Sequence, residues 1–434
     1  MPKNYQKDIE FIEGLSNIPR QNYLLGIHDR AHFISRLENF LSLVGSPHKG
    51  QNFIHVTGTS GKGTTVKVLE SLIANARLKV GSFTSPFATT SIEKISINNK
   101  LISPQELHQI LENDIKPALD KYVLKFKTEA ISYFEVWLAI ALLHFKNKKC
   151  NWVILEAGLG GRHDATNVIA NPKVTAITNV GMDHMEILGN SKSAIAKDKA
   201  GIIKKNSIFI TTEKNPKLLK IFLSVCKNKQ AWYIQPSPLS KNYQLSNYFD
   251  TKRQRKNLDL ALNILDVLKI KPKNIQSVIN SFGLICRQEI ISQNPLIILD
   301  GSHNGDKLSN LIEFVKKQKY KKMYLILGFG FTKHYKVPLK KLIPLANKIY
   351  ITRYLISGKK TADLKKLKIA SQKISPKTPI NIYHDPYQAL ESALKSAKQS
   401  DLILVTGSFF LAGEIRKKWV SEEYIIKELK LDKR

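Results

Sequence analysis

Short apolar runs alternate with longer stretches of helical periodicity along most of the chain, beginning at about residue 52. The run Phe53-Ile54-His55-Val56 predicts a strand, and residues 64–76 predict the helix that follows it. Three further strands are predicted in this first series, at residues 152–155, 174–178 and 207–210. Strands separated by helices are typical of a parallel sheet with crossover helices on its faces.

A second series of the same kind begins near Pro295. Its strands are predicted at residues 296–299, 323–327, 348–351 and 402–405. The polar segment Ser292-Gln293-Asn294-Pro295 separates the two series and ends in a proline, which favours a break. A chain of 434 residues also exceeds the size of one hydrophobic core. We therefore predict an α/β fold with two domains, a larger one over residues 1–290 and a smaller, Rossmann-like one over residues 296–434.

The composition of the chain bears on the cellular compartment in which the protein functions. No uninterrupted apolar run is long enough to cross a bilayer, and the polar start MPKNYQKDIEFIEGL lacks the apolar centre of a signal peptide. Cys150, Cys226 and Cys286 lie far apart and form no metal-binding spacing. We expect a cytoplasmic protein with reduced thiols and no membrane partner.

The net charge is unusual, because 68 Lys and Arg residues face 35 Asp and Glu residues and give a formal charge of +33. Such an excess can indicate a nucleic-acid or anionic-lipid surface. The lysines are dispersed, however, and no basic arm or RNA-binding aromatic motif accompanies them. We favour solvated helix faces as the explanation, together with some attraction of anionic substrates, and expect no nucleic-acid partner.

A glycine-rich turn joins the first strand to its helix. Its residues are Gly58, Thr59, Ser60, Gly61, Lys62, Gly63, Thr64 and Thr65. Converging backbone N–H groups and the helix dipole predict a site for the phosphates of ATP. Lys62 would neutralise the β- and γ-phosphates, and a hydroxyl just after it would bind Mg²⁺. Gly63 separates Lys62 from Thr64, so the spacing differs from the common GxxxxGKS/T loop, and a turn without a ligand is the alternative.

Polar residues also follow the next two strands. Glu156 comes directly after the strand at 152–155 and precedes a glycine-rich turn, where α/β sheets bind ligands and a carboxylate can hold a metal ion. Asp183 and His184 follow the third strand and would lie at the same edge. A salt bridge, a helix cap or a structural histidine is the alternative. Periodicity places Lys199 at the end of an amphipathic helix and predicts only a solvated lysine.

The order of the motifs resembles a known family. The motifs are GTSGKGTT from residue 58, TSP from 84, SYFE from 132, LEAGLGGRHDATN from 155, TNVGMDH from 178, KAGI from 199, DGSHN from 300 and VTGSFFLAGEIR from 405. Together they resemble the folylpolyglutamate synthase/dihydrofolate synthase family, the folate branch of the Mur ligase superfamily. The resemblance implies a Mur-ligase-like ATP-binding domain followed by a C-terminal ligase domain.

The resemblance also implies a reaction. In such ligases the carboxylate of the acceptor, here dihydropteroate or tetrahydrofolate, attacks the γ-phosphate of ATP, and the amine of L-glutamate then displaces phosphate. ATP and Mg²⁺ are the implied cofactors. We expect a monomer that acts on these small molecules.

Site residues follow from the resemblance position by position. The implied catalytic residues are Lys62, His184 and Lys199. The implied metal ligands are Thr64, Glu156, His184 and Lys199, the last of them carbamylated. The implied contacts to the pterin-bearing substrate are Ser85 and Asp164. The implied nucleotide contacts outside the loop are Asn257, Arg287, Asp300 and His303, with Gln254 and Asn304 beside them.

The sequence departs from the family pattern in four places. Phe87 stands where histidine usually follows Ser85-Pro86, and Lys94 replaces an arginine. Cys286 stands where a glycine usually precedes the arginine, and Thr332-Lys333-His334 replaces an acidic run. The first two changes fall around the implied folate pocket. They leave the acceptor open between dihydropteroate, tetrahydrofolate or both.

Two other functions are alternatives. A cell-wall Mur ligase for a nucleotide-linked sugar peptide normally has a separate domain before the phosphate loop, whereas 57 residues precede Gly58. A nucleic-acid-associated P-loop NTPase would fit the net charge and would bind nucleic acid in a salt-dependent way.

Overall fold

The computed structural model describes residues 4–15, 31–126, 130–331, 335–356 and 359–432. The chain divides into two compact units. The first unit contains Met1–Ser85, Ile92–Ser246 and Arg253–Ser281, and the second contains Pro86–Ser91, Asn247–Lys252 and Phe282–Arg434. Among the described residues, no helix is long and apolar enough to cross a membrane.

A mainly parallel sheet forms the centre of the first unit. Its strands are β1 (Phe53–Thr57), β2 (Val80–Phe83), β3 (Ile95–Ile97), β4 (Lys100–Leu101), β5 (Trp152–Glu156), β6 (Val174–Ile177), β7 (Ile208–Thr211) and β8 (Trp232–Ile234). They lie in the order β4-β3-β2-β5-β1-β6-β7-β8. β3 is antiparallel to both of its neighbours, and the other pairs are parallel. β1 is buried along its whole length because it lies between β5 and β6.

Helices surround this sheet. They are α1 (Tyr5–Gly14), α2 (Ala31–Leu43), α3 (Lys62–Asn75), α4 (Pro104–Ile110), α5 (Lys116–Phe126), α6 (Tyr133–Asn147), α7 (Met185–Leu188), α8 (Lys192–Lys199), α9 (Pro216–Lys229), α10 (Lys252–Val267) and α11 (Ile275–Ser281). A π-helical turn, Leu111–Ile115, joins α4 to α5. Residues 135–145 of α6 are all buried. A helix that is buried all round belongs to the core.

The SYFE motif has a structural explanation. Ser132 caps α6 in a capping box with Glu135, whose carboxylate accepts a hydrogen bond from the backbone N–H of Ser132 at 2.8 Å. The same carboxylate forms a buried ion pair with Arg36 of α2 at 2.7 Å. The motif therefore begins α6 and joins it to α2.

The second unit contains a second mainly parallel sheet. Its strands are β9 (Glu289–Gln293), β10 (Leu296–Leu299), β11 (Met323–Leu327), β12 (Lys348–Ile351), β13 (Ile380–Ile382) and β14 (Leu402–Thr406). They lie in the order β13-β12-β11-β14-β10-β9, and only β9 is antiparallel to its neighbour. The helices are α12 (Gly305–Val315), α13 (Lys336–Leu342), α14 (Leu364–Ile374), α15 (Pro386–Ser396), α16 (Phe409–Arg416) and α17 (Glu422–Glu428). Alternate strand residues enter separate cores on the two faces, which is why the strands read as continuous apolar runs.

The structure confirms the predicted α/β fold with a parallel-rich sheet and a second α/β domain. The domain boundary differs from the prediction. Residues 290–295, predicted as the junction, lie within β9 and its turn into β10, so they belong to the second sheet, and the division falls at Phe282. The Thr332-Lys333-His334 departure lies outside the described residues.

Candidate active site

Three neighbouring strand ends carry the polar residues that were predicted to form the site. β5, β1 and β6 are parallel, so their carboxyl ends meet at one edge of the sheet. Val56 pairs with Glu156 at the end of β5, and Thr57 pairs with Ile177 at the end of β6. The glycine-rich loop, Glu156 and the segment after β6 therefore start at the edge where α/β proteins bind ligands.

Two glycines give the loop its shape. Gly58 and Gly61 have φ angles of +152° and +87°, which favour glycine. A Cβ atom at Gly58 would overlap the side chain of Thr178, and one at Gly61 would overlap the side-chain amide of Asn257. The backbone approaches these neighbours closely because both positions lack a side chain.

Residues after β6 hold the loop in place. Asn179 accepts a hydrogen bond through Oδ1 from the N–H of Ser60 at 2.9 Å, and its carbonyl oxygen accepts one from the N–H of Thr59 at 3.1 Å. The hydroxyl of Thr178 donates to the carbonyl oxygen of Ser60 at 2.6 Å. The loop is therefore preorganised by contacts within the first unit.

Lys62, Thr64 and Thr65 form the first turn of α3. Nζ of Lys62 donates to the carbonyl oxygen of Gly58 at 2.9 Å, so the ammonium group bends back to the loop. The hydroxyl of Thr65 is buried and has no hydrogen-bond partner among the described residues. Buried hydroxyls nearly always have a partner, so this atom fits a position that a ligand would complete.

Lys199 ends α8 with only 3% of its surface exposed. Burial, reinforced by the charge of Lys62, lowers the pKa of its ammonium group to about 7, although Asp198, Asp183 and Asp164 oppose the fall. Lys199 thus lies within electrostatic range of the loop lysine. The periodicity-based prediction of a solvated lysine is wrong, because tertiary packing buries the end of α8.

The predicted metal ligands are only partly brought together. Glu156 is buried, and its Oε2 accepts a hydrogen bond from the N–H of Ser85 at 3.3 Å. His184 is the N-cap of α7 and has a left-handed φ of +51°, and its ring nitrogens lie 3.9 Å from carboxylate oxygens of Asp183 and Glu186. In the part of the chain that the structure describes, neither Glu156 nor His184 belongs to a cluster of three His, Cys, Asp or Glu ligands. The hydroxyl of Thr64 and a modified Lys199 would have to complete such a site.

Asp164 shapes the turn after β5. One carboxylate oxygen accepts a hydrogen bond from the N–H of Leu159 at 2.7 Å, and the other accepts one from the N–H of Thr166 at 3.0 Å. Burial raises the pKa of Asp164, although these hydrogen bonds and the charge of Lys62 oppose the rise. These hydrogen bonds hold the turn 159–166, and a substrate contact of Asp164 stays a prediction.

The start of α10 packs against the phosphate loop. Asn257 is buried beside Gly61, and its Nδ2 donates to Oε1 of Gln254 at 2.9 Å. Arg253 donates a hydrogen bond through Nη1 to the hydroxyl of Ser60. Sequence reasoning missed Arg253, because it is one of four cations among residues 252–256 and nothing in the pattern singles it out.

Asp300 follows β10 in the second unit. Its carboxylate accepts hydrogen bonds from the N–H groups of Gln288 at 2.9 Å and Ser302 at 2.8 Å. Burial raises its pKa, although these hydrogen bonds and the charge of Arg287 oppose the rise. Asp300 thereby fixes the turn that leads from β10 to α12.

The other predicted nucleotide residues of this unit lie close by in the chain. Nδ1 of His303 is 3.0 Å from the carbonyl oxygen of Gly301, and the side chain of Asn304 caps α12. The guanidinium of Arg287 lies 5.0 Å from the ring centre of Phe409. Asn304 thus begins α12 as its N-cap, and a nucleotide contact of this residue stays a prediction.

Three departures from the family pattern have visible structural consequences. Cys286 adopts a φ of +52°, so a residue with a side chain occupies a glycine-like conformation, at a cost of about 1 kcal/mol. The ring of Phe87 lies 6.0 Å from that of Phe410 within the second unit. Lys94, in the first unit, pairs with Glu13 at 3.1 Å and lies 4.2 Å from the ring centre of Trp137.

The first unit therefore presents an anion-binding loop, a lysine that bends back to it, a second buried lysine and a buried carboxylate at the carboxyl edge of a parallel sheet. These features define the class of α/β enzymes that bind a nucleoside triphosphate and use its phosphoryl groups.

Comparison with known proteins narrows the class. The family described as Mur ligase middle domain matches residues 56–283, and the family described as Mur ligase, glutamate ligase domain matches residues 286–409. A dihydrofolate synthase/folylpolyglutamate synthase of Bacillus subtilis (strain 168) is 30% identical over 430 residues, which cover 90% of this chain and 97% of that protein. One from Buchnera aphidicola subsp. Acyrthosiphon pisum (strain APS) is 32% identical over 389 residues, which cover 84% and 89%.

Solved structures share the fold. Folylpolyglutamate synthase of Mycobacterium tuberculosis, complexed with ADP, has a TM-score of 0.84 at 22% identity and covers 96% of this chain and 98% of its own. The enzyme of Thermotoga maritima has a TM-score of 0.79 at 25% identity and covers 98% and 99%. The chain belongs to the dihydrofolate synthase/folylpolyglutamate synthase family of Mur ligases, which confirms the motif-based assignment. It is an ATP-dependent ligase that forms an amide bond.

Proposed function

We propose that this ligase couples L-glutamate to the carboxylate of a pteroate or folate acceptor. The carboxylate attacks the γ-phosphoryl group of ATP, ADP leaves, and the amine of glutamate displaces phosphate from the acyl phosphate. The names of the B. subtilis and B. aphidicola relatives support this choice of substrates. The observation that carries the proposal is the glycine-shaped loop with Lys62 at the carboxyl edge of β1.

The loop, residues 58–65, is proposed to bind the phosphates of ATP. Gly58 and Gly61 let the backbone adopt its turn, and Lys62 supplies positive charge where negative charge develops on the transferring phosphoryl group. The buried hydroxyl of Thr65 supports the proposal, because it fits an atom that a bound ligand would partner. Arg253, which contacts Ser60, is proposed as a further support of the loop.

Thr64, Glu156 and His184 are proposed to hold Mg²⁺. When bound, the ion would neutralise phosphate charge and polarise the phosphoryl oxygens. The buried carboxylate of Glu156 fits such an ion, which prefers oxygen ligands. A carbamate on Lys199 would add another oxygen ligand.

Carbamylation of Lys199 fits the charge state of that residue. A pKa of about 7 leaves a large fraction of the amine neutral at physiological pH, and the neutral amine is the form that reacts with CO₂. We expect ¹³C-labelled bicarbonate to give a carbamate signal in NMR of the wild-type protein that Lys199→Arg lacks. Equal signals in both proteins would place the modification elsewhere.

The remaining site residues are proposed because they match positions in the motifs of the family. Ser85 and Asp164 would contact the acceptor, and Asn257 would contact the nucleotide. In the second unit the proposed nucleotide contacts are Arg287, Asp300 and His303. A monomer in the cytoplasm is the proposed state, and its three cysteines are free thiols.

The test is a phosphate-release assay with ATP, Mg²⁺ and L-glutamate, in which dihydropteroate and tetrahydrofolate are compared as acceptors. We expect glutamate-dependent release with at least one of them. Release that requires a nucleotide-linked sugar peptide, or that RNA stimulates without glutamate, would identify one of the alternative functions. No glutamate-dependent release with either acceptor would overturn the proposal.

Lys62→Ala tests the loop within the same assay. We expect release to disappear while the unfolding transition is retained. Lys100→Ala is the matched control, because Lys100 is an exposed lysine of β4. Substantial turnover by Lys62→Ala would contradict the proposed role.

A further inference from the structure

Three metal-ligating side chains outside the site described above come together in the first unit. They are Asp8 of α1, His108 of α4 and Glu112 of the π-helical turn. One ligand atom of each lies within 4.8 Å of the other two, and no other such trio of His, Cys, Asp or Glu occurs among the described residues. An ion with ligand bonds of about 2.0 to 2.2 Å holds its ligand atoms about 3 to 4 Å apart, so only a small closure is required.

Sequence spacing and helix packing create this arrangement. His108 and Glu112 are four residues apart in a continuous helical segment, so both side chains lie on one face. α1 packs against α4 and brings Asp8 to that face. Asp8 is only 3% exposed, and a carboxylate this buried is rare unless a cation or hydrogen-bond donors compensate it.

We propose that Asp8, His108 and Glu112 bind a divalent transition-metal ion of the zinc class. One imidazole and two carboxylates suit Zn²⁺ or Mn²⁺, which bind an imidazole nitrogen more strongly than Mg²⁺ does. Three protein ligands leave further positions for water. The bound ion would join α1 to α4 and to the π-helical turn.

Asn4 provides the outer contact that a metal-binding histidine usually has. Nδ1 of His108 lies 3.0 Å from Oδ2 of Asp8, and Nε2 lies 3.1 Å from the side-chain amide nitrogen of Asn4. In the ion-free form Nδ1–H donates to Asp8, and Nε2 accepts from Asn4. When the ion binds Nδ1, the proton moves through solvent to Nε2, and the amide of Asn4 turns its oxygen to accept the new N–H.

Lys116 offers a test in which a substitution should strengthen metal binding instead of weakening it. Its ammonium group pairs with Oε1 of Glu112 and lies 4.9 Å from the ring centre of Phe11. A fixed positive charge beside the trio opposes a bound cation and competes for the carboxylate. Removal of that charge should therefore strengthen metal binding, although it removes an ion pair.

The experiment is a calorimetric titration of the full-length, nucleotide-free protein with ZnCl₂, in buffer that contains saturating Mg²⁺. We expect about one equivalent of Zn²⁺ to bind. His108→Gln and Asp8→Asn should each weaken the affinity by at least about tenfold, the lower end of what outer contacts alone are worth. Lys116→Met should strengthen it. His384→Gln removes an exposed imidazole of the second unit and should leave the affinity unchanged.

Two readouts separate binding from folding. Thermal unfolding in EDTA establishes that each variant folds. Co²⁺ absorption in the visible range, which intensifies when the ion leaves octahedral coordination by water, reports binding of the ion to protein ligands. Zn²⁺ affinity that is equal in wild type and folded His108→Gln would overturn the proposal, because the ion would then lie elsewhere. Absence of Zn²⁺ uptake by the wild type would also overturn it and leave Asp8 and His108 as a hydrogen-bonded pair. Neither result depends on ligase activity.

Discussion

His55 should make the stability of the first unit depend on pH. It is fully buried in β1, and its Nε2 lies 2.8 Å from the hydroxyl of Thr166. Burial lowers its pKa from 6.5 to about 3, and the charge of Lys204 adds to the fall. The imidazole therefore stays neutral in the folded protein under conditions where the unfolded chain binds a proton.

The sign follows from proton binding in the two states. Between the unfolded pKa of 6.5 and the folded pKa of about 3, only the unfolded chain binds the proton, so stability is present above 6.5 and is lost as the pH falls. The slope approaches about 1.4 kcal/mol per pH unit. At about two pH units below 6.5 the loss from His55 alone is about 3 kcal/mol. Burial also lowers the pKa of His144, to about 4, which acts in the same direction.

Urea unfolding of wild type and His55→Gln at about pH 7.5, 5.5 and 4.5 measures this contribution, because the difference in slope removes the effect of His144. A Trp419→Phe background makes tryptophan fluorescence report the first unit, since the other three tryptophans all lie there. We expect His55→Gln to be less stable at neutral pH but to lose less stability on acidification. Parallel pH profiles of the two proteins would refute the reasoning, and His384→Gln serves as the exposed control.

Three more substitutions test separate features. Gly61→Ala should weaken ADP binding in calorimetry, because its Cβ would overlap Asn257 at a φ of +87°, whereas Gly14→Ala has open space and should bind normally. Glu70→Ala should cost about 3 to 5 kcal/mol in urea unfolding, since it leaves the partner Lys67 unpaired, and Glu70→Gln should cost less. Lys199→Arg should lower the rate of ADP formation by at least about a hundredfold, because a guanidinium can neither lose its charge nor become carbamylated. A variant that equals the wild type in ADP affinity (Gly61→Ala), stability in urea (Glu70→Ala) or rate of ADP formation (Lys199→Arg) would contradict the corresponding argument.

Eight of the fourteen strands that the structure describes could be predicted from the sequence, because nearly all of their residues are buried. A short apolar run such as Leu402–Thr406 predicts a buried strand when turn residues lie on both sides of it. Six strands were not predicted. β2 is buried but contains Gly81 and Ser82, and β3, β4 and β13 contain only two or three residues each. β8 contains the exposed Trp232, and no residue of β9 is fully buried, so neither is a continuous apolar run. The domain boundary was misplaced for the same reason, since β9 occupies the polar segment that suggested a junction.

The phosphate loop could be predicted because its chemistry is contiguous in the chain. Lys199 could not, because its burial and lowered pKa arise from residues such as Lys62, far away in sequence. Arg253 reaches Ser60 across a similar separation. Periodicity reports on one helix at a time, whereas these contacts depend on which strand ends become neighbours. The resemblance of the motif order to a known family identified Lys199 as a site residue, which periodicity alone could not do.

The assignment of Pro86–Ser91 and Asn247–Lys252 to the second unit bears on biosynthesis. Both segments leave the ribosome before Phe282, yet Phe87 packs with Phe410 and Tyr248 lies 5.1 Å from Phe282. The second unit cannot be completed until its C-terminal residues have been made. The contact of Phe87 with Phe410 can form only at that late stage, whereas Tyr248 can contact Phe282 earlier. A fragment that starts at Phe282 would lack both segments, so neither unit can be obtained intact by a single cut of the chain.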